Sequence, residues 1–144
     1  MANVKEVVAF LHRVPLFQGL KDRQFEVLAR RFVERTYKKG DCIVTQGQGG
    51  EGFFIVQSGK AEAVRELADG SQHVVNTFGP TDFFGELALL DDGLRTASVV
   101  STEPVVCLVL TRWDFLGMMR EDADMAVTIL QELARRFRVA LDAL

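Results

Sequence analysis

The chain is 144 residues long, 48% hydrophobic and 26% charged, enough to bury one ordinary core and too short to add a second catalytic domain. A formal charge of −3 argues against a general nucleic-acid binder, which needs a basic face. No run approaches the roughly 20 apolar residues of a membrane span, and Lys5, Glu6, His12 and Arg13 are unlike a secretory leader, so a cytoplasmic setting is expected.

Val4, Val7, Val8 and Leu11 recur at a helical period, which predicts a helix over 4–13 that ends before Pro15. Leu16, Phe17 and Leu20 form a short apolar hinge, and a second helix is expected with Asp22 as cap and Phe25, Leu28, Ala29 and Phe32 on one face. From Val33 the pattern changes to short β-like runs. These are separated by Lys39-Gly40, Gly47-Gln48-Gly49-Gly50, Ser58-Gly59, Asp69-Gly70 and Gly79-Pro80. Turn signals about every ten residues, with Asp69-Gly70 as a hairpin, indicate an antiparallel sandwich or roll. Cys42 and Cys107 lie inside apolar, β-branched runs and read as buried, inert thiols.

The run from Phe83 to Val99 combines an aromatic strand end, a glycine, a short helical run and an arginine entering a strand at Ala97–Ser101. A glycine allows close backbone approach, a helix start presents amide N–H groups, and an arginine offers a planar fork for phosphate oxygens. Singly, Arg95 reads as a solvated charge, Glu86 as a helix N-terminal acid and Thr96 as an ordinary strand residue. Together their spacing describes a phosphate site. After a further strand over Val105–Leu110, Thr111 is expected to cap a short helix through Trp113, Phe115, Leu116 and Met119. Asp122 or Asp124 then caps a longer one reaching Leu144. On a helical count Ala126, Ile129, Leu130, Leu133, Phe137, Ala140 and Leu144 share one stripe, Arg135 points away from it and Arg136 borders it.

Phe84, Gly85, Glu86, Ala88, Leu89, Arg95, Thr96, Ala97 and Val99 fill every fixed position of the motif F-G-E-x-A-L-x(4–6)-R-[ST]-A-x-V. In this the chain resembles the cyclic nucleotide-binding domains of bacterial catabolite activators, kinase regulatory subunits and cyclic-nucleotide-gated channels. The segment Gly52-Phe53-Phe54-Ile55-Val56-Gln57-Ser58-Gly59 is similar to the family's second signature, with Gly52 where a polar residue is common, a departure expected to loosen that turn without touching the ligand. The resemblance covers nearly the whole chain. It implies an α+β, mainly β fold: one domain over 1–144, with N-terminal helices over 1–34 and helices over 111–144. Between them an eight-stranded antiparallel, jelly-roll-like β-roll over 35–110 carries the cassette at 83–99 and its short helix.

The resemblance implies a site made by Phe84, Gly85, Glu86, Leu87, Ala88, Arg95, Thr96 and Ala97. Arg95 would pair with the cyclic phosphate, the N–H groups of Leu87, Ala88 and Ala97 would complete its cradle, and Glu86 would accept from the ribose 2′-hydroxyl. Thr96 can meet phosphate or guanine, which keeps cAMP, the preferred ligand, and cGMP both open. On the last helix Arg136 is the lid candidate, against an ion pair with Glu132 or an apolar lid from Leu133 or Phe137. The same stripe offers a homodimer seam. An enzyme would need a nucleophile, base or metal, and His12 and His73 are too few for a metal site, so no catalysis and no cofactor are expected. The expected function is a regulatory module in which cyclic nucleotide repositions the C-terminal helices, acting on an effector protein. A DNA-binding regulator would need a helix-turn-helix beyond Leu144, so that reading, like an ion channel, requires a longer parent. A dimerising protein with a vestigial cassette would bind no ligand.

Overall fold

The computed structural model describes residues 3–49, 52–91 and 93–144; Gly50 of the glycine-rich turn and Asp92 of the cassette lie outside the described residues. The chain divides into a helical unit, up to Phe32 with Trp113–Leu144, and a roll unit, Val33–Arg112.

In the helical unit, α1 (Val4–Leu11) is capped by Asn3, whose side chain accepts from the Glu6 N–H, and buries Val7 and Leu11. A 3-10 turn at Pro15–Phe17 replaces the hinge, and α2 (Asp22–Ala29) follows. The cap of α2 is Lys21 and not Asp22: Gln24 Oε1 accepts from the Lys21 N–H at 2.9 Å, which places Asp22 inside the first turn, where its charge still favours the helix dipole. Phe25, Leu28 and Ala29 are buried as expected, and His12, just past α1, stacks on Phe25 with centroids 4.0 Å apart. Helix α3 (Arg112–Glu121) buries Phe115 and Met118, whereas Trp113 is 76% exposed.

Asp122 caps α4 (Ala123–Asp142), accepting from Met125 N–H, and Asp124 sits in the first turn. The inner face of α4 keeps Ile129 of the expected stripe but is otherwise turned from it: Met125 and Glu132 are buried beside Ile129, while Leu130 and Phe137 are exposed. The helix therefore has two apolar faces, because Val127, Leu130, Ala134, Phe137 and Leu141 recur at alternating spacings of three and four on the side about 150° from the buried line.

The roll unit holds eight antiparallel strands: β1 (Val33–Tyr37), β2 (Cys42–Val44), β3 (Gly52–Ser58), β4 (Ala61–Glu66), β5 (Gln72–Phe78), β6 (Phe83–Phe84), β7 (Ser98–Ser101) and β8 (Val105–Thr111). They form two four-stranded sheets, β1-β8-β3-β6 and β2-β7-β4-β5. Alternation along the strands puts Phe54, Val56, Ala61, Ala63, Phe78, Phe84, Val99, Val105, Cys107 and Val109 in the core between them. The predicted hairpin joins β4 to β5 with Gly70 at φ +83°. Cys107 is buried, and desolvation pushes its thiol up to about 12, as expected of an inert thiol. Cys42 is a correction: it lies on an edge strand and is exposed, with its thiol donating to the Val44 carbonyl at 3.0 Å.

Candidate functional site

Between β6 and β7 the chain opens a cavity of about 310 Å³ lined by Gly85, Glu86, Leu87, Ala88, Asp91, Gly93, Leu94, Arg95 and Thr96. Six residues singled out from sequence thus meet around one space. Phe84 does not line it. Its ring stacks on Phe54 (5.0 Å, 6° between planes) and tilts against Phe78 (4.9 Å), so it is the core anchor from which the cassette departs. Ala97 packs against the same core.

Gly85 makes the departure possible. Its φ of +85° is a left-handed conformation that a side chain resists, and an added Cβ would lie 2.5 Å from Arg95 Nη1 and 2.7 Å from the Gly52 carbonyl oxygen. The short helical run expected after it is one 3-10 turn at Glu86–Leu89. Such a turn gathers little macrodipole, so positive charge at the site rests on Arg95 more than on helix geometry. It also closes on itself: the Ala88 N–H donates to the Gly85 carbonyl at 3.0 Å, which removes it from the expected cradle.

Arg95 is held at main chain and side chain alike by the segment before β3. Its N–H donates to the Gln48 carbonyl, its carbonyl accepts from the Gly47 N–H, both at 2.8 Å, and Nη2 donates to the Gly52 carbonyl at 2.8 Å. An isolated bridge between Gly49 and Leu94 continues this pairing. Gly52 does not loosen a turn, as expected from sequence. It is a buried strand residue pressed on the Leu110 carbonyl, and it fixes the arginine through its own carbonyl. Its role left no type-specific signal, since a backbone carbonyl does the work. The glycines at 47, 49 and 52 flanking an aromatic strand were the available hint.

Asp91, Gly93 and Leu94 line the cavity and were not anticipated. Asp91 Oδ1 accepts from the Gly93 N–H at 3.0 Å, which folds that carboxylate back onto its own turn. Arg136 lies in the helical unit, exposed, on the helical line that continues Met125, Ile129 and Glu132. The ion pair of Arg136 with Glu132, the alternative to a lid role, is not the one formed. Glu132, 7% exposed, pairs with Arg135.

A family model described as the cyclic nucleotide-binding domain matches residues 34–122. The cyclic AMP receptor protein of Thermus thermophilus is 36% identical over 126 residues, covering 88% of this chain and 58% of the relative. A cGMP-dependent protein kinase of Drosophila melanogaster is 38% identical over 109 residues, 74% of this chain and 12% of the kinase. The N-terminal domain of a transcriptional regulator from Streptomyces coelicolor superposes with a TM-score of 0.84 at 33% identity, covering 93% of this chain and 94% of that one. The chain spans just under three fifths of the bacterial receptor, 58% of its length.

Proposed function

This chain belongs to the cyclic nucleotide-binding domain family, and from that premise we propose that its cassette cavity binds cAMP through Arg95 and Glu86 and passes the event to the C-terminal helices as a non-catalytic regulatory input. The observation that carries the reading is the fixed guanidinium. Nη2 is anchored on Gly52 at 2.8 Å, and Glu86, Leu87, Thr96 and Arg95 surround a cavity of about 310 Å³. A charged, planar donor held in place beforehand loses little freedom on meeting a phosphate. Glu86 accepts from the ribose 2′-hydroxyl in this reading, and the Leu87 and Ala97 amides assist the phosphate.

cGMP is the second ligand reading, favoured by Thr96, which lines the cavity, and by the Drosophila relative. A further part of the proposal is a homodimer through the exposed seam of α4, whose three-and-four spacing is that of coiled-coil contact positions. The greater length of the receptor relative and the likeness to the N-terminal domain of a transcriptional regulator support reading this chain as the sensory part of a longer DNA-binding regulator. No helix among the described residues is long and apolar enough to cross a membrane, and a cytoplasmic setting belongs to the same proposal.

Calorimetric titration with cAMP and with cGMP tests it, on this chain and on Arg95→Ala. Charge-assisted hydrogen bonds contribute about 1.5–3 kcal/mol each, so Arg95→Ala should bind at least tenfold more weakly. Undetectable binding of both nucleotides by the unmodified chain would sink the proposal. Arg136→Ala should lose less affinity and release ligand faster if that arginine contacts the purine.

A further inference from the structure

Four strands form the edges of the two sheets, and three of them are guarded against pairing with another chain. β6 has two residues, β2 has three, and β1 carries Glu34 and Arg35. β5 is different. It runs for seven residues without Asp, Glu, Lys, Arg or Pro, Gln72 to Thr77 are all exposed, and Val74 and Val75 are 55% and 54% exposed. Its one hydrogen-bonded neighbour among the described strands is β4.

Beside this edge, on the outer face of the same sheet, lies a groove of about 400 Å³ whose lining includes Glu62, Val64 and Glu66 of β4, Gln72 of β5 and Val100 of β7. Every charged side chain among the described lining residues is acidic. Cross-strand register puts Val74 opposite Val64 and Gln72 opposite Glu66, so the outward side chains of the open edge and of the groove share one face. The end of the groove is braced by Gln46, whose amide accepts from the Glu66 N–H at 2.7 Å and donates to the Glu66 carbonyl at 2.9 Å.

We propose that β5 accepts an extended segment of a partner protein as a fifth strand, and that this segment is basic, with arginine or lysine at alternate positions. Main-chain hydrogen bonds to β5 supply the docking, as in strand addition generally. Alternate side chains of the added strand fall on the outer face next to Val74. A long cationic side chain there lies its aliphatic stem over Val74 and Val64 and carries its head to Glu62 and Glu66. An acidic segment would meet like charge at both positions.

The test is fluorescence polarisation of a labelled, acetylated heptapeptide alternating arginine and valine, titrated with the whole chain. Saturable binding is expected, weakening with added salt and falling roughly fivefold or more for the double variant Glu62→Gln, Glu66→Gln, since exposed ion pairs are individually modest. Val74→Lys puts a guarding charge on the edge and should weaken the peptide by a similar factor. Thermal melts of both variants establish that they fold. No saturable binding, equal binding of a peptide with glutamate in place of arginine, or unchanged affinity in both variants overturns the proposal. Concentration-dependent self-association lost in Val74→Lys would also overturn it, because the edge would then be filled by a second copy.

Discussion

Gly85 and Arg95 act as one unit. The glycine lets the guanidinium lie where a Cβ would be, 2.5 Å from Nη1, and the same added atom would crowd the Gly52 carbonyl that anchors Nη2. Gly85→Ala therefore imposes left-handed strain of about 1–3 kcal/mol and displaces the arginine at the same time. The expected outcome is a lower melting temperature together with at least tenfold weaker nucleotide binding by calorimetry. In that background Arg95→Ala should cost little more, since the fork has already been moved, and full additivity would show that the two residues act separately. Residue type made Gly85, Glu86 and Arg95 legible in the sequence, because each brings chemistry that few others offer. Gln48 and Gly47 act through backbone atoms, which every residue possesses, and so stayed silent, while Gly52, required by its close approach to the Leu110 carbonyl, was read as a loosened turn.

At the scale of elements, hydrophobic periodicity found both C-terminal helices and the last two strands, but it misassigned the inner face of α4. A stripe drawn through Leu130 and Phe137 is apolar, yet the packed line is Met125, Ile129 and Glu132, with the carboxylate tied to Arg135. Periodicity cannot choose between two apolar faces of one helix, and an acid that pairs at its tip can enter the packed one. The start of α4 was better marked. The Met125 N–H first, against desolvation, the next largest influence, and with lesser help from the Gln24 amide and the Arg23 charge, holds the Asp122 carboxyl below its ordinary 3.8. A depressed folded value means that the cap contributes above the unfolded value and is lost as pH falls through the folded one. Asp122→Ala should accordingly melt below the unmodified chain at neutral pH, and thermal melts should show that gap closing once pH is taken well under 3.8. A gap independent of pH would assign the effect to packing.

For the whole molecule, the unpartnered face of α4 sets the expected state of association. Phe137 is 66% exposed and Leu141 50%, on a seam that begins at Val127. Sedimentation equilibrium should find a dimer, and Phe137→Glu with Leu141→Glu should return it to monomer while leaving the fold intact, because neither side chain is in a core. A monomer at all concentrations would refute the seam. The roll itself was legible as a count of turns, and its eight strands followed from the family resemblance; the sheet order, and with it the division of edges into guarded and open, was not, since it depends on which strand ends up last in its sheet.

The tether between Arg95 and Gly52 joins residues 43 apart in sequence. Closing that span belongs to folding, and its entropic cost rises only logarithmically with length. A ligand arriving later meets a side chain whose rotamer is already chosen. Capture of the phosphate should therefore be a single encounter, with an observed rate rising linearly with ligand concentration and no lag before signal. Any slower phase that ignores ligand concentration would report rearrangement elsewhere in the chain, which separates in time the recognition of the nucleotide from the response to it.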